Sequence, residues 1–281
     1  MLEFYHNIPQ LMAPTVFTVG VFSLYWYAVM YMLGIGVSGV ILWKLIRHEI
    51  SFDDYIDLLF ALVMGVLIGA RLGYVIMYAL PYYLSHPFAI VSPFDAVTGE
   101  WIGIAGMSYY GGCIGAMLGL WLWKRGYDAK TNMKRLTFLW ITDMLSLALP
   151  FGYFFGRLGN FLNGELYGRV TNQFFGMYFS SAPSGLLFLR HPSQIYEAFS
   201  EGLLLGYVLW YVKKNRSYAD GTITALYIGG YAAIRFIVEF FREPDVQLGY
   251  VWTYMTVGQL LSGVFLLCTC LFMSMRKRYP R

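Results

Sequence analysis

The densest set of groups able to do chemistry lies between Gly156 and Arg169, in the run Gly-Arg-Leu-Gly-Asn-Phe-Leu-Asn-Gly-Glu-Leu-Tyr-Gly-Arg. Arg157, Arg169, Asn160, Asn163 and Glu165 sit there among glycines, directly after a long apolar run. Charged groups inside a bilayer are costly; as a rule they face a protein interior or a water-filled cavity and mark a functional site. Guanidinium groups suit phosphate through paired, planar hydrogen bonds, and nearby carboxamides and carboxylates can orient them. The pattern predicts a buried site for an anionic ligand at the mouth of a membrane bundle. The alternative is a plain polar helix end where the chain leaves the bilayer. The density and mixture of polar groups favour the site.

Spacing groups these residues further. Arg157 and Asn160 are three apart, so they share a helix face. Arg235, Glu239 and Arg242 recur at i, i+4 and i+7 and form one stripe on a later apolar span. Facing the Gly156–Arg169 stretch, that stripe gives a cavity with two or three guanidiniums. Satisfied by itself, it is an Arg-Glu-Arg brace. Glu165 is placed to orient Arg157 or Arg169. Asp143, well inside an apolar span, is either a functional group or a structural hydrogen bond to a neighbouring helix. Arg71 either snorkels outward or reaches a central cavity. Cys113, Cys268 and Cys270 lie in apolar spans, so no disulfide framework is indicated. No His or Asp stands near them at ligand spacing, and no metal is expected.

The elements that position these groups are membrane helices. Of 281 residues, 58% are hydrophobic and 13% charged, and mean hydropathy is +0.54. This composition is that of an all-α polytopic membrane protein, with no nucleic-acid partner expected. Seven stretches are long enough to span, at about 20 apolar residues each. They run approximately over 21–43, 55–78, 102–123, 136–155, 193–212, 222–241 and 251–275. All seven lysines fall in three loops and the C-terminal tail, which places those segments inside and the N-terminus outside. The first apolar run is too long for a signal peptide and reads as a retained helix. Gly65, Gly69 and Gly73, and Gly111, Gly115 and Gly119, give two small-residue packing faces. Pro81–Leu84 and Pro87–Ile90 read as segments lying along the interface. Residues 1–281 are expected to form one membrane domain, with 166–192 inserted as a small extracytoplasmic head carrying short strands around Phe174–Phe179.

Several of these stretches together resemble the prolipoprotein diacylglyceryl transferase family. Its signature, Gly-Arg-x-Gly-Asn-Phe-x-Asn-Gly-Glu-x-x-Gly, is matched from Gly156 through Gly168. Leu24-Tyr25-Trp26-Tyr27, the segment from Gly106 to Gly112, and those from Arg190 to Glu197 and Arg235 to Arg242 are similar to the family's as well, so the likeness covers nearly the whole chain. It implies a multi-pass enzyme of the bacterial plasma (inner) membrane with its active site on the extracytoplasmic side. That enzyme would move the diacylglyceryl group of phosphatidylglycerol onto the lipobox cysteine of a prolipoprotein and release glycerol phosphate, with no cofactor. The implied partners are phosphatidylglycerol, the precursor's signal peptide and lipobox, and membrane lipids.

In that reaction a thiolate attacks the glycerol carbon bearing the phosphate. Arginines aimed at the departing phosphate stabilise the transition state more than the ground state. Arg157 first and Arg235 second are expected to hold the phosphate, with Asn160 and Gly168 shaping the pocket. Glu165 and Arg242 are expected beside phosphatidylglycerol as well, and Tyr27, which matches a family position, in the lipid pocket. One position departs: the family commonly carries a histidine before Gly111-Gly112, and this chain has Tyr110. A free cysteine is mostly protonated at neutral pH, so the thiol needs a base or a strong positive field. Three roles stay open: Tyr110 as a donor to phosphate or lipid, His191 as the base, and the arginine field making the thiolate directly. Two rival functions stand beside this one, a lipid-binding paralogue without catalysis and a phosphate or lipid transporter. The chain shows no internal repeat, which disfavours the transporter.

Overall fold

The computed structural model describes residues 2–278 except 21, 95–98, 100–105, 132–135, 183–185, 244–249 and 252–254. The chain divides into two compact units, one of residues 1–45 with 139–281 and one of residues 46–138. The first opens with α1 (Leu2–His6), α2 (Ile8–Leu11) and the antiparallel hairpin β1 (Thr15–Val19) and β2 (Phe22–Tyr25), then α3 (Trp26–Ile46). The second holds α4 (Phe52–Tyr78), α5 (Leu80–Ser85), a 3-10 turn (Pro87–Ile90) and α6 (Tyr109–Thr131). The first resumes with α7 (Phe138–Leu162). After an irregular layer, α8 (Ser193–Glu197), a π-helical segment (Ala198–Leu204) and α9 (Leu205–Asn215) form one continuous run. It ends with α10 (Thr222–Val238), the short hairpin β3 (Tyr250–Val251) and β4 (Met255–Thr256), and α11 (Val257–Arg278). Among the described residues, four helices are long and apolar enough to cross a membrane: 26–46, 52–78, 138–162 and 257–275.

Element boundaries differ from the sequence reading where an apolar run changes conformation. The first helix begins at Trp26, because Thr-Val-Phe-Thr-Val and Phe-Ser-Leu-Tyr pair as strands around Gly20 at φ 60°. Hydropathy runs on unbroken from strand to helix, so periodicity alone could not divide them. The last helix likewise begins at Val257, after β4. Lys124–Thr131, expected as loop, is helical. Residues 102–105 and 132–135 of the expected third span and basic loop lie outside the described residues. No strand forms at Phe174–Phe179; the pairing there is an isolated bridge between Met177 and Arg190. α7 continues to Leu162, so the first half of the Gly156–Arg169 stretch is helix.

In the second unit the two glycine faces meet each other. A Cβ placed on Gly115 would overlap the Gly65 carbonyl oxygen and lie 2.8 Å from Gly69 Cα, and one on Gly73 would lie 2.6 Å from Gly111 Cα. The backbones of α4 and α6 thus touch, as small-residue interfaces allow. Gly115→Val is expected to lower the melting temperature in detergent, costing at least about 1–3 kcal/mol of overpacking because backbone cannot step aside. Gly126→Ala, on the same helix with nothing within 4 Å of its new methyl, is the control and should leave stability level or raise it. The idea fails if both variants melt with the parent. Arg71 is buried and does not snorkel outward. It donates to the carbonyls of Ile90 and Ala89 at 2.7 Å each and of Gly106 at 3.3 Å, and lies over the Tyr83 ring. It therefore ties together the segment between α4 and α6.

In the first unit α3 packs on α7 through Gly34, whose added Cβ would sit 2.8 Å from the Gly152 carbonyl oxygen. Pro150 lies inside α7 and loosens its hydrogen-bond ladder. Nearby carbonyls are taken by side chains: Trp210 Nε1 donates to Leu147 O at 3.1 Å and Ser38 Oγ to Ala148 O at 3.2 Å. Asp143 resolves to the structural reading. Its carboxylate accepts the backbone N–H groups of Gly221 (2.7 Å) and Thr224 (2.8 Å) and the Thr224 hydroxyl (2.8 Å). It caps the N-terminus of α10 from a neighbouring helix, satisfying donors the helix cannot satisfy itself. Phe161, Met177, Phe179 and Ala182 form the core of the irregular layer, with Tyr5, Ile8 and Met12 of the N-terminal segment packed on it.

Candidate active site

The site is built within the first unit, from three helical runs. α7 presents Tyr153, Arg157 and Asn160 on one face, spaced as four- and three-residue neighbours are. The α8–π run supplies Glu197 and Glu201, both 0% exposed. α10 supplies Tyr231 and Arg235, and the turn at its end supplies Glu239 and Arg242.

Glu197 is the centre. Its Oε2 lies 2.8 Å from Arg157 Nε and 3.3 Å from Arg235 Nη1, and its Oε1 lies 3.2 Å from Arg242 Nη1. One carboxylate therefore gathers three guanidiniums from two helical elements. Arg235 Nη2 also pairs with Glu239 Oε2 at 2.8 Å. Glu239 is fixed in turn by the Thr256 hydroxyl, which donates to Oε1 at 3.0 Å, and by lying over Gly258. The side chains of Arg157 and Arg235 keep 15% exposure each, while the acid behind them keeps none. The cluster thus turns its positive side outward. Buried ion pairs gain little net stability, but they hold charged groups in one geometry.

A second chain of contacts runs along α7. Arg157 Nη1 donates to Asn160 Oδ1 at 3.3 Å, and Asn160 Nδ2 donates to Glu165 Oε1 at 3.0 Å. Glu165 thus orients Asn160, rather than Arg157 or Arg169 as its position suggested. The chain must reverse sharply to bring Glu165 back, and it does so with Gly164 at φ 68° and Leu166 at φ 57°. Leu166 is the one non-glycine with positive φ among the described residues, a conformation that L-residues adopt at a cost. The reversal is anchored by Gln194, which donates to Glu165 O at 2.7 Å, and by Ser193, which donates to Leu166 O at 3.0 Å.

Arg169 and Arg190 serve the frame. Arg169 donates to the carbonyls of Arg242 (2.8 Å) and Glu239 (3.3 Å), where α10 ends and carbonyls lack helical partners. Arg190 pairs with Glu243 at 2.9 Å and donates to Gly168 O at 3.2 Å. Gly168 bridges Arg242, and a Cβ there would sit 2.7 Å from His191 Cβ. It is a close-packing glycine of the site's wall. The Arg235–Glu239–Arg242 stripe is not the self-contained brace the spacing allowed, because Arg242 turns to Glu197.

His191 stands apart from the polar cluster. Its ring is boxed by Phe175, Tyr196 and Phe241, and its Nδ1 lies 3.2 Å from the Tyr196 hydroxyl. Burial lowers its pKa from the usual histidine value, so it is neutral at neutral pH. Tyr27 on α3 has its ring tilted against that of Tyr31 and lies beside Gly159 of α7, one residue from Asn160. Tyr110 is on α6, in the second unit, with its ring edge-on to Tyr109. Sequence reasoning missed Glu197, Glu201, Tyr153 and Tyr231. The signal was present for the acids: two carboxylates four residues apart inside an apolar stretch mark a site by default.

Fold and site together define a helical membrane protein that holds a cluster of arginines on a buried carboxylate, an arrangement suited to gripping a phosphate or similar anion. The family model for prolipoprotein diacylglyceryl transferase matches residues 14–275. The phosphatidylglycerol–prolipoprotein diacylglyceryl transferase of Chlorobaculum tepidum is 40% identical over 269 residues, 93% of this chain and 90% of that protein. The protein of the same name from Wolbachia pipientis subsp. Culex pipiens is 42% identical over 255 residues, 89% and 90% of the two chains. That from Campylobacter jejuni subsp. jejuni is 36% identical over 277 residues, 96% of each. The chain belongs to the prolipoprotein diacylglyceryl transferase family.

Proposed function

We propose that this chain transfers the diacylglyceryl group of phosphatidylglycerol to the lipobox cysteine of a prolipoprotein and releases glycerol phosphate. The observation that carries the reading is the sharing of Glu197 by Arg157 and Arg235, each with part of its side chain still exposed. Two guanidiniums on one carboxylate present fixed donors to a phosphate. In the transfer a sulfur–carbon bond forms at the glycerol carbon and the carbon–oxygen bond to phosphate breaks. The electron pair goes to the phosphate oxygen, where charge grows as the arginines' donors meet it. Arg157 and Arg235 take the phosphate, Asn160 and Arg242 complete its surroundings through Glu165 and Glu197, and Tyr27 lines the lipid side. Gly168 forms part of the wall.

The same reading gives the chain seven spans, carried by α3, α4, α6, α7, the α8–α9 run, α10 and α11. The lysine-bearing segments lie in the cytoplasm, the N-terminus outside and residues 166–192 as a head over the bundle, with the site open to the outer face of a bacterial plasma membrane. A transfer assay in phosphatidylglycerol micelles, with a peptide bearing a lipobox cysteine, tests it. The parent should form thioether, and Arg157→Ala should lose at least about 10²–10³-fold in kcat. Tyr110→Phe and His191→Ala identify the source of the thiolate. Loss with His191→Ala alone makes the imidazole the base, loss with Tyr110→Phe alone assigns the phenol, and retention in both leaves the arginine field. A parent that binds phosphatidylglycerol and forms no thioether would overturn the transferase reading.

A further inference from the structure

The roles given so far leave one acid of the cluster unused. Glu201 is 0% exposed, yet among the described residues no lysine or arginine forms an ion pair with it; Arg157, Arg235 and Arg242 are taken by Glu197 and Glu239. Its Oε2 accepts the hydrogen of the Tyr153 hydroxyl. Its Oε1 is buried with no hydrogen-bond partner among the described residues. A carboxyl in that position costs folding free energy, and among the described residues its hydrogen bond is to Tyr153.

The Tyr153 hydroxyl is a joint. It accepts the Arg157 Nε–H at 2.7 Å while its own hydrogen goes to Glu201. A phenol has one hydrogen to give; besides Glu201, the described residues offer it the Tyr231 hydroxyl and Glu197 Oε2, the latter at 3.3 Å. That is the oxygen that pairs with Arg157 and Arg235. Without Glu201, the Tyr153 hydrogen is free to turn to Tyr231 or to Glu197, where it would compete with the arginines, and in either case the hydroxyl that holds Arg157 is no longer fixed. The ring itself is fixed, with Tyr231 edge-on at 5.7 Å and the Arg157 guanidinium 4.8 Å from its centroid.

The backbone is shaped to make this contact. Glu201 lies in the π-helical segment Ala198–Leu204, a widened turn that recurs at functional sites. Gly202, the next residue, is pressed on α7 so closely that a Cβ would lie 2.8 Å from Phe154 Cβ and 3.0 Å from its Cα. Widened turn and missing side chain together bring Glu201 against the residue next to Phe154, which is Tyr153.

We infer that Glu201 is a positioning residue for the transfer: through Tyr153 it fixes the Nε edge of the Arg157 guanidinium and so aims the Nη edge at the substrate phosphate. This rests on the phosphate role proposed above for Arg157. The test measures kcat, KM for phosphatidylglycerol and melting temperature for the parent, Tyr153→Phe, Glu201→Ala, Glu201→Gln and the double variant Tyr153→Phe/Glu201→Ala. Each of Tyr153→Phe and Glu201→Ala should lower kcat by roughly 10- to 100-fold, the scale of a misaligned catalytic group, with little change in KM. The double variant should be no slower than the worse single one, because both break the same link. Glu201→Gln keeps an oxygen acceptor at the same reach and should recover most of the lost kcat. Additive losses, or equal losses in the Gln and Ala variants, overturn the inference, as does a fall in melting temperature with parental kcat. Should Glu201→Ala not fold, Glu201→Gln with and without Tyr153→Phe decides the same question by additivity. A parent that makes no thioether defeats the proposed function; a working parent with additive losses defeats this inference alone.

Discussion

Glu197→Gln is expected to destabilise the chain by about 3–5 kcal/mol, the scale of stranding a buried charge, and to lower thioether formation by about 10²–10³-fold or more. The reason is numerical. One carboxylate with no exposure faces Arg157, Arg235 and Arg242 at 2.8, 3.3 and 3.2 Å. Glutamine keeps the shape and removes the charge, so three guanidiniums are left to repel one another in a medium that screens poorly. Arg235 retains Glu239, and Arg157 retains Tyr153 and Asn160. Adding Arg242→Gln removes one of the three like charges and should therefore return part of the lost stability, since residues sharing a network couple. It should return none of the activity, because Arg157 and Arg235 still lack their common anchor. Melting temperature and transfer rate, measured on the three chains, separate these claims. A Glu197→Gln chain that melts and turns over like the parent would remove Glu197 from the centre of the site.

That the centre was not named from the sequence has a physical cause. Contacts between residues three or four apart on one helix are legible, and the structure contains them: Arg157 with Asn160, and Arg235 with Glu239. Small-residue faces are legible too, because a run of glycines at four-residue spacing has few other uses in a membrane helix; Gly65–Gly73 and Gly111–Gly119 do find each other. Glu197 binds across to α7 and to the end of α10, and no local pattern says which of several arginines an acid will meet. Its position inside an apolar stretch was a cue that something charged must face it, but not which partner. The same limit applies to Asp143, where the sequence offered a functional or a structural role with equal force, and the N–H groups of Gly221 and Thr224 decide it.

Conformational switches inside apolar runs were the other blind spot. The hairpin before α3, the one before α11 and the π-helical segment before α9 are all written in residues that a hydropathy window reads as continuous helix. The π segment matters most for the site, because it sets Glu201 against Tyr153. Its one textual trace is Gly202, and a single glycine in a helix has many explanations. Glu165 shows how a correct location can come with the wrong partner. The glycines around it were visible, but the reversal they make depends on Leu166 taking a positive φ, which sequence preference argues against. With that turn made, Glu165 reaches Asn160 and acts on Arg157 only at second hand.

Arg157→Lys is the sharper probe of what the site requires, and kcat is expected to fall by about 10²–10³-fold although the charge is kept. Arginine is held here along its whole planar edge: Nε meets Tyr153 and Glu197, and Nη1 meets Asn160. A lysine ammonium is one compact donor on a flexible stem and cannot make these contacts and face a phosphate together. If it pairs with Glu197, the cluster keeps its charge balance and the fold its stability, so the melting temperature should change far less than in Glu197→Gln. Phosphatidylglycerol should still bind, since Arg235 remains and attraction to an anion depends on charge more than on shape. The loss should therefore appear in kcat, where donors must meet the departing oxygen, and only weakly in KM. Steady-state kinetics on Arg157→Lys decide between the two readings of the cluster. A lysine variant with parental kcat and a raised KM would mean that Arg157 supplies only general attraction for an anionic lipid, and the aligned donors at the phosphate would have to be sought at Arg235.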